Sequence, residues 1–312
     1  MKFDLICIGT ALVDSIIRGF DPKPVSASGF RAVSGTLNVG GEAVNEAMAA
    51  AKLGLRTGIL CALGDDDAGR IVTGALQGCG VNTERIVRSP QTPVTTMFVH
   101  EDGTRKSITN EAHRYNFHPE KETGRFTDAK AVILGSLFRA PFDDPQIVHA
   151  VVSAAKEAGQ TVFADTKLPN FRVLALRDLA DSLPMIDYIT PNEDEALFFT
   201  GKEEPEAMAD VFLQYGIRNV IIKLGSRGCL LKNSGGSLML PGHRIQAVDA
   251  TGAGDNFVAG YASEILRGST DREALRFANA CGAICTSAVG AATALKSREQ
   301  VLTWMAARGG EE

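Results

Sequence analysis

The stretch VDATGAGDNFVAG, Val248 to Gly260, sets three residues with almost no side chain directly before an acid. Gly252, Ala253 and Gly254 let backbone N–H groups approach a ligand closely, and the run that follows, DNFVAGYASEIL, has helical periodicity. A helix starting there offers unpaired N–H groups and the positive end of its dipole, which stabilise negative charge on a transferred phosphoryl group without a lysine. Asp255 then stands where a base is needed, because its carboxylate can take the proton of an attacking hydroxyl. Taken alone, the same residues also fit a plain helix start with Asp255 favourable to the dipole. Neither G-x-x-x-x-G-K-[ST] nor a G-x-G-x-x-G after a strand occurs, so phosphate binding here would use another design.

A second stretch, NVGGEAVNEAMAAAKLG, opens a predicted helix with Gly40 and Gly41 and places Asn45 one turn in. An amide there can donate to and accept from a polyhydroxylated ligand, and sugar hydroxyls suit that chemistry. A tight loop with a solvent-facing Asn is the competing reading.

The elements that must hold these residues alternate. LICIG, TGILCALG, AVILGSL, TVFADT, DYITPN and NVIIKLG read as buried strands, separated by amphipathic helical runs such as DDAGRIVTGALQGCG and IVHAVVSAAKEAG. This rhythm predicts a doubly wound α/β fold with a mostly parallel sheet. Two segments break it, about 16–38 and about 92–110, with short alternating Thr- and Val-rich runs and a turn signal at Asp102-Gly103. They predict a small antiparallel sheet that serves as a lid, or that pairs with another subunit through its open edges. No repeat, low-complexity tract or linker divides the chain, so residues 1–312 are expected to form one domain.

Composition narrows the function. Apolar residues make up 45% and charged residues 22%, as in ordinary globular proteins, and the net charge of −5 without Lys/Arg blocks argues against nucleic acid or anionic membrane as partner. The apolar start is too short for a signal peptide and no run is long enough to span a bilayer, so a cytoplasmic location is expected. The 6 cysteines are scattered with no C-x-x-C, which fits buried, reduced thiols; Cys281 and Cys285 share a helical face.

GGEAVNEAMAAAKLG and VDATGAGDNFVAG together closely resemble the two signature motifs of the ribokinase (PfkB-type) carbohydrate kinase family. The resemblance spans nearly the whole chain through CALGDDDAG, TPNEDEA, IIKLGSRGCLL and ANACGAICTSAVGA in family order. It implies a three-layer α/β/α body with a β-sheet lid and transfer of the γ-phosphoryl of ATP, with Mg2+, to a sugar hydroxymethyl group. By resemblance, Asp255 is the general base, and the N–H groups of Gly252, Ala253 and Gly254 form the anion hole. Asp14, Gly40, Gly41 and Asn45 bind the sugar. Asn192 and Glu195 match an N-x-x-E associated with magnesium and phosphate through water, although the same spacing is a helix capping box. Gly225, Gly228 and Asn279 match the nucleotide side. Asp249 and Thr251, with Gly290, match members that bind a monovalent cation such as K+. A homodimer through the lid is also implied.

Two positions depart from the family pattern. Glu42 follows the double glycine where ribokinases carry Lys, which weakens D-ribose and weighs against a sugar acid such as 2-keto-3-deoxygluconate. Lys223 stands where many relatives carry Thr; it reaches a phosphate or snorkels to water. Arg105, Lys106, Arg114, Lys167 and Arg172 could anchor an anionic group, but solvated surface charge is the expectation for each. No aromatic run suits a purine sandwich, which ranks a nucleoside acceptor lower. A non-catalytic sugar sensor on the same fold is the alternative from another class.

Overall fold

A computed structural model describes residues 1–19, 32–100, 104–110 and 117–308. Its central sheet is built on β1 (Phe3–Ile8), β4 (Thr57–Leu60), β9 (Ala129–Leu137), β10 (Thr161–Thr166), β11 (Tyr188–Ile189) and β12 (Asn219–Lys223), all mutually parallel. Two antiparallel strands, β13 (Cys229–Asn233) and β14 (Gly236–Leu240), extend it, giving the order β14-β13-β12-β11-β10-β9-β1-β4. The strands are apolar on both faces, as a sheet covered twice requires. Ile6, Ile8, Val132, Leu134, Val220 and Ile222 pack into one core, under α3 (Pro145–Glu157), α4 (Glu193–Thr200) and α5 (Pro205–Gln214). Leu5, Cys7, Ala131, Ile133 and Ile221 face the other, under α1 (Glu42–Lys52), α2 (Asp67–Gly78), α6 (Ala253–Ile265), α7 (Asp271–Cys285) and α8 (Arg298–Ala306). This is the three-layer body expected from the alternation, and Cys281 and Cys285 are buried in it.

The smaller sheet, the one expected to serve as a lid, is built of β2 (Leu12–Arg18), β3 (Ser34–Gly40), β7 (Val94–Val99) and β8 (Arg105–Thr109), in the order β3-β2-β7-β8. The expectation of an antiparallel sheet needs correction at its centre, where β2 and β7 pair in parallel, Val13 against Val94 through Arg18 against Val99. The cause lies in the body. A parallel two-stranded pair, β5 (Ala62–Leu63) with β6 (Val87–Arg88), delivers the chain to β7 in the direction in which β1 delivers it to β2. Each lid arm then returns as an antiparallel partner, β3 or β8. The turn signal at Asp102-Gly103 and the candidate anion anchor Arg114 lie outside the described residues. Among the described residues no helix is long and apolar enough to cross a membrane.

Candidate active site

The site gathers where strands of the parallel sheet end, the usual ligand position in such folds. Gly252 precedes α6 with φ +77°, and a Cβ there would lie 2.3 Å from the Cβ of Ala291, so the turn into the helix requires glycine. Within that turn the Ala253 N–H donates to the Ala250 carbonyl at 3.2 Å and the Asn256 N–H to the Gly252 carbonyl at 2.9 Å. Of the three N–H groups expected to form an anion hole, that of Ala253 is thus engaged in the turn. Gly254 lies beside the cleft described below.

Asp255 is buried in the first turn of α6, and its Oδ2 accepts a hydrogen bond from Asn45 Nδ2 at 2.7 Å. The two signature motifs therefore meet through one bond. Burial pushes the Asp255 carboxyl up to about 7, helped by the charges of Glu42 and Asp165 and opposed by Lys167 and the Asn45 bond. A carboxylate with that affinity for a proton is suited to general base work near neutrality.

On the lid side, Asp14 lies on β2 with its Oδ2 2.4 Å from where a Cβ on Gly40 would sit, so only glycine leaves the acid its room. Burial, with the nearby charge of Glu42, raises Asp14 to about 6. Gly41 has φ +101°, and a Cβ there would meet the Thr10 carbonyl oxygen at 2.2 Å. Glu42 opens α1 between two partners: Lys167 Nζ at 2.7 Å and the Ser136 hydroxyl, which donates at 2.6 Å. Burial would raise Glu42, but Lys167 and Ser136 outweigh it and hold the carboxyl at about 2. Lys167 is therefore not a free surface charge as expected: its side chain stays part-exposed, but an acid far away in sequence pairs with its ammonium group. Arg172 instead pairs with Asp144 at 2.9 Å on the surface, and Lys106 is exposed. Neither joins the site.

On the other side of Asp255 runs a cleft of about 600 Å³, lined by Lys223, Gly225, Gly228, Ala253, Gly254 and Asn279 among others. Its volume suits a small-molecule ligand. Asn279 donates to the Pro241 carbonyl at 3.2 Å, a contact that holds the cleft wall. Lys223 does not snorkel: its Nζ turns inward to Asp165 Oδ1 at 2.6 Å. Asn192 and Glu195 form the capping box of α4, with both reciprocal bonds present at 2.9 and 3.0 Å. Glu195 Oε2 also accepts from the Thr166 hydroxyl at 2.8 Å, so this acid joins the helix cap to the end of β10. Burial and the charge of Asp165 raise it, against Lys223. Asp249 accepts from Thr251 N–H and hydroxyl on one oxygen and from the Gly290 N–H on the other, at 3.0, 2.7 and 3.0 Å. The three residues matched to a cation loop do come together. Among the described residues no three His, Cys, Asp or Glu side chains converge as a direct metal cage.

Sequence reasoning missed Asp165, Ser136 and Glu46. Asp165 offered a signal, an acid in FADT at the end of an otherwise apolar strand. Glu46 offered another, a charged residue in the alanine-rich run after Asn45, and it is fully buried with neither oxygen hydrogen-bonded. Burial and the charges of Asp165 and Asp255 raise its carboxyl far above the usual range.

The family model for the pfkB family carbohydrate kinases matches residues 2–298. Among curated relatives, the ribokinase of Haemophilus influenzae is 29% identical over 85% of this chain and 87% of its own length. An ATP-dependent ribose-1-phosphate kinase of Halopiger xanaduensis is 33% identical over 82% of each. Among solved structures, Arabidopsis thaliana ribokinase complexed with ribose and ATP superposes with a TM-score of 0.84 and 27% identity, over 97% of this chain and 98% of that one. The chain therefore belongs to the pfkB family of carbohydrate kinases, phosphotransferases that use an alcohol group as acceptor.

Proposed function

We propose that this protein is a single-domain, lidded sugar kinase that transfers the γ-phosphoryl group of MgATP to a primary hydroxyl of a small sugar. The observation that carries the reading is the position of Asp255. It is a buried carboxylate tied to Asn45, within the field of Glu42, which also acts on Asp14 of the smaller sheet, and beside a cleft large enough for a nucleotide. Asp255 takes the proton of the acceptor hydroxyl as its oxygen bonds to the γ-phosphorus and the bond to the β-phosphate bridge breaks, giving ADP. The first turn of α6 faces the charge on the moving group. Asp14 and Asn45 hold sugar hydroxyls, and the lid keeps water from competing as acceptor. Gly225, Gly228 and Asn279 border the nucleotide.

Glu195 fits a hydrated magnesium ion, since its Oε2 is occupied by Thr166 and Asn192, leaving Oε1 to meet a magnesium-bound water. Bound magnesium would shield the phosphate charge. The loop of Asp249, Thr251 and Gly290 is the candidate monovalent-cation site, for K+. Dimerisation through the lid and a cytoplasmic location belong to the same reading.

A neutral furanose or ketose is favoured over an anionic acceptor, because Lys167 is already neutralised by Glu42 beside a second acid, Asp14. The test is ADP release from MgATP with ribose, fructose, 2-keto-3-deoxygluconate, ribose 1-phosphate and nucleosides, run beside Asp255→Asn. One acceptor should stand out, and the variant should keep the fold and lose about 10²–10⁴ in turnover. Undiminished turnover in the variant would remove Asp255 from the mechanism. Sugar binding without ADP formation by the wild type would leave a sensor.

A further inference from the structure

We propose that Lys223 is a catalytic residue whose ammonium group reaches the γ-phosphoryl group during transfer, adding a mobile positive charge to the N-terminus of α6. The inference rests on the kinase reading above and extends it to a side chain at the border of the cleft.

The first support is location. Lys223 ends β12, where its backbone N–H donates to the Pro191 carbonyl at 2.9 Å, so the strand end is fixed. Its side chain lines the cleft, and its Nζ lies 3.2 Å from where a Cβ on Gly254 would sit, against the first turn of α6. A phosphoryl group held at that turn is within reach of the ammonium.

The second is hydrogen-bonding capacity. An ammonium group has three donors, and the pair with Asp165 uses one. Asp165 does not depend on that pair alone, because the same Oδ1 also accepts from the Thr190 hydroxyl at 2.9 Å and the Thr166 N–H at 3.1 Å. A lysine serving only as counter-ion would have no reason to face an open cleft.

The third is charge. Asp165, Glu195, Asp255 and Glu46 are all buried around this point. A highly charged phosphoryl group entering beside the ionised members of this cluster, Asp165 first among them, is repelled unless a cation travels with it or waits for it. Lys223 is a cation that touches both Asp165 and the cleft. In the step itself it takes and gives no proton: Asp255 receives the acceptor proton, the new P–O bond forms, the bridge bond breaks, and the ammonium follows the charge on the equatorial oxygens.

The experiment compares full-length wild type, Lys223→Met and the double variant Lys223→Met/Asp165→Asn, which removes both members of the ion pair together. Calorimetry with excess Mg2+ measures the affinity of β,γ-imido-ATP and of ADP, and acceptor-dependent turnover is measured in parallel. The double variant should melt close to wild type and bind ADP within about twofold, while losing about 10- to 100-fold in affinity for the triphosphate, the worth of a charge-assisted hydrogen bond. Its kcat should fall by about 10²–10³. Equal loss of both nucleotides, loss of neither, or an unchanged kcat would overturn the proposal. If wild type phosphorylates no acceptor, the sugar kinase reading fails by itself, and the triphosphate-over-diphosphate preference still decides whether Lys223 meets the γ-phosphoryl group.

Discussion

Replacing Glu42 with Gln should shift the pH dependence of catalysis toward acid. In the proposed mechanism Asp255 must be ionised to accept a proton, and burial together with Glu42 and Asp165 holds it at about 7. In the wild type, kcat/KM therefore rises with pH through about 7 and levels off above it; at pH 6 about one tenth of the base is available. Glu42→Gln removes a negative charge and frees Lys167 from its 2.7 Å pair, so both changes favour the Asp255 carboxylate. The Gln side-chain carbonyl can still accept from Ser136. Loss of one charged neighbour is worth about one pKa unit at the low end. At pH 6 the available base then rises to about one half, and activity relative to each enzyme's own alkaline plateau rises about fivefold. The assay is ADP release at saturating MgATP with excess Mg2+ and sub-saturating acceptor from pH 5.5 to 9. The fitted value belongs to the buried carboxylate cluster as a whole. A variant profile that superimposes on the wild type, or moves toward alkali, would refute the electrostatic link between Glu42 and Asp255.

Two further outcomes follow from geometry. Gly252→Ala must adopt φ +77° with its Cβ 2.3 Å from that of Ala291, so the variant should lose about 1–3 kcal/mol, read as a fall of about 2–5 °C in melting temperature, and an unchanged melting curve would show that the turn relaxes freely. The outer lid strands β3 and β8 expose Leu37 and Ile108, so light scattering at micromolar concentration should show a dimer that Ile108→Lys shifts toward monomer; a monomeric wild type would count against pairing through the lid.

Much of this site could be read in the sequence because its parts are local. GAGD needs small residues at a helix start, and that requirement survives in the letters themselves; the Gly-Gly-to-Asn spacing is one helical turn. The strand rhythm was equally legible, since a doubly covered sheet demands unbroken apolar runs. What could not be read depends on distant partners. Nothing near Lys167 announces Glu42, and nothing near Glu42 announces Ser136, so each reads as a surface charge or an intruder. A lysine at a strand end can point outward or inward, and only Asp165, two strands away in the sheet, decided the direction for Lys223. The parallel pairing of β2 and β7 escaped for a similar reason: it is fixed by how the body delivers each arm, not by alternation within the arms.

The two ion pairs found this way give the site a common logic. In the proposed reading Glu42–Lys167 stands on the acceptor side of Asp255 and Asp165–Lys223 on the nucleotide side, and the acids of both pairs raise its proton affinity. If Lys223 leaves Asp165 to meet an arriving phosphoryl group, Asp165 is uncovered and a further negative charge enters the site. Taken alone, both changes raise the affinity of Asp255 for a proton and lower its ionised fraction. Magnesium carried with the triphosphate would offset the added charge, and the ammonium of Lys223 beside the phosphoryl group shares in that, so that Asp255 stays ionised enough near neutrality to take the acceptor proton.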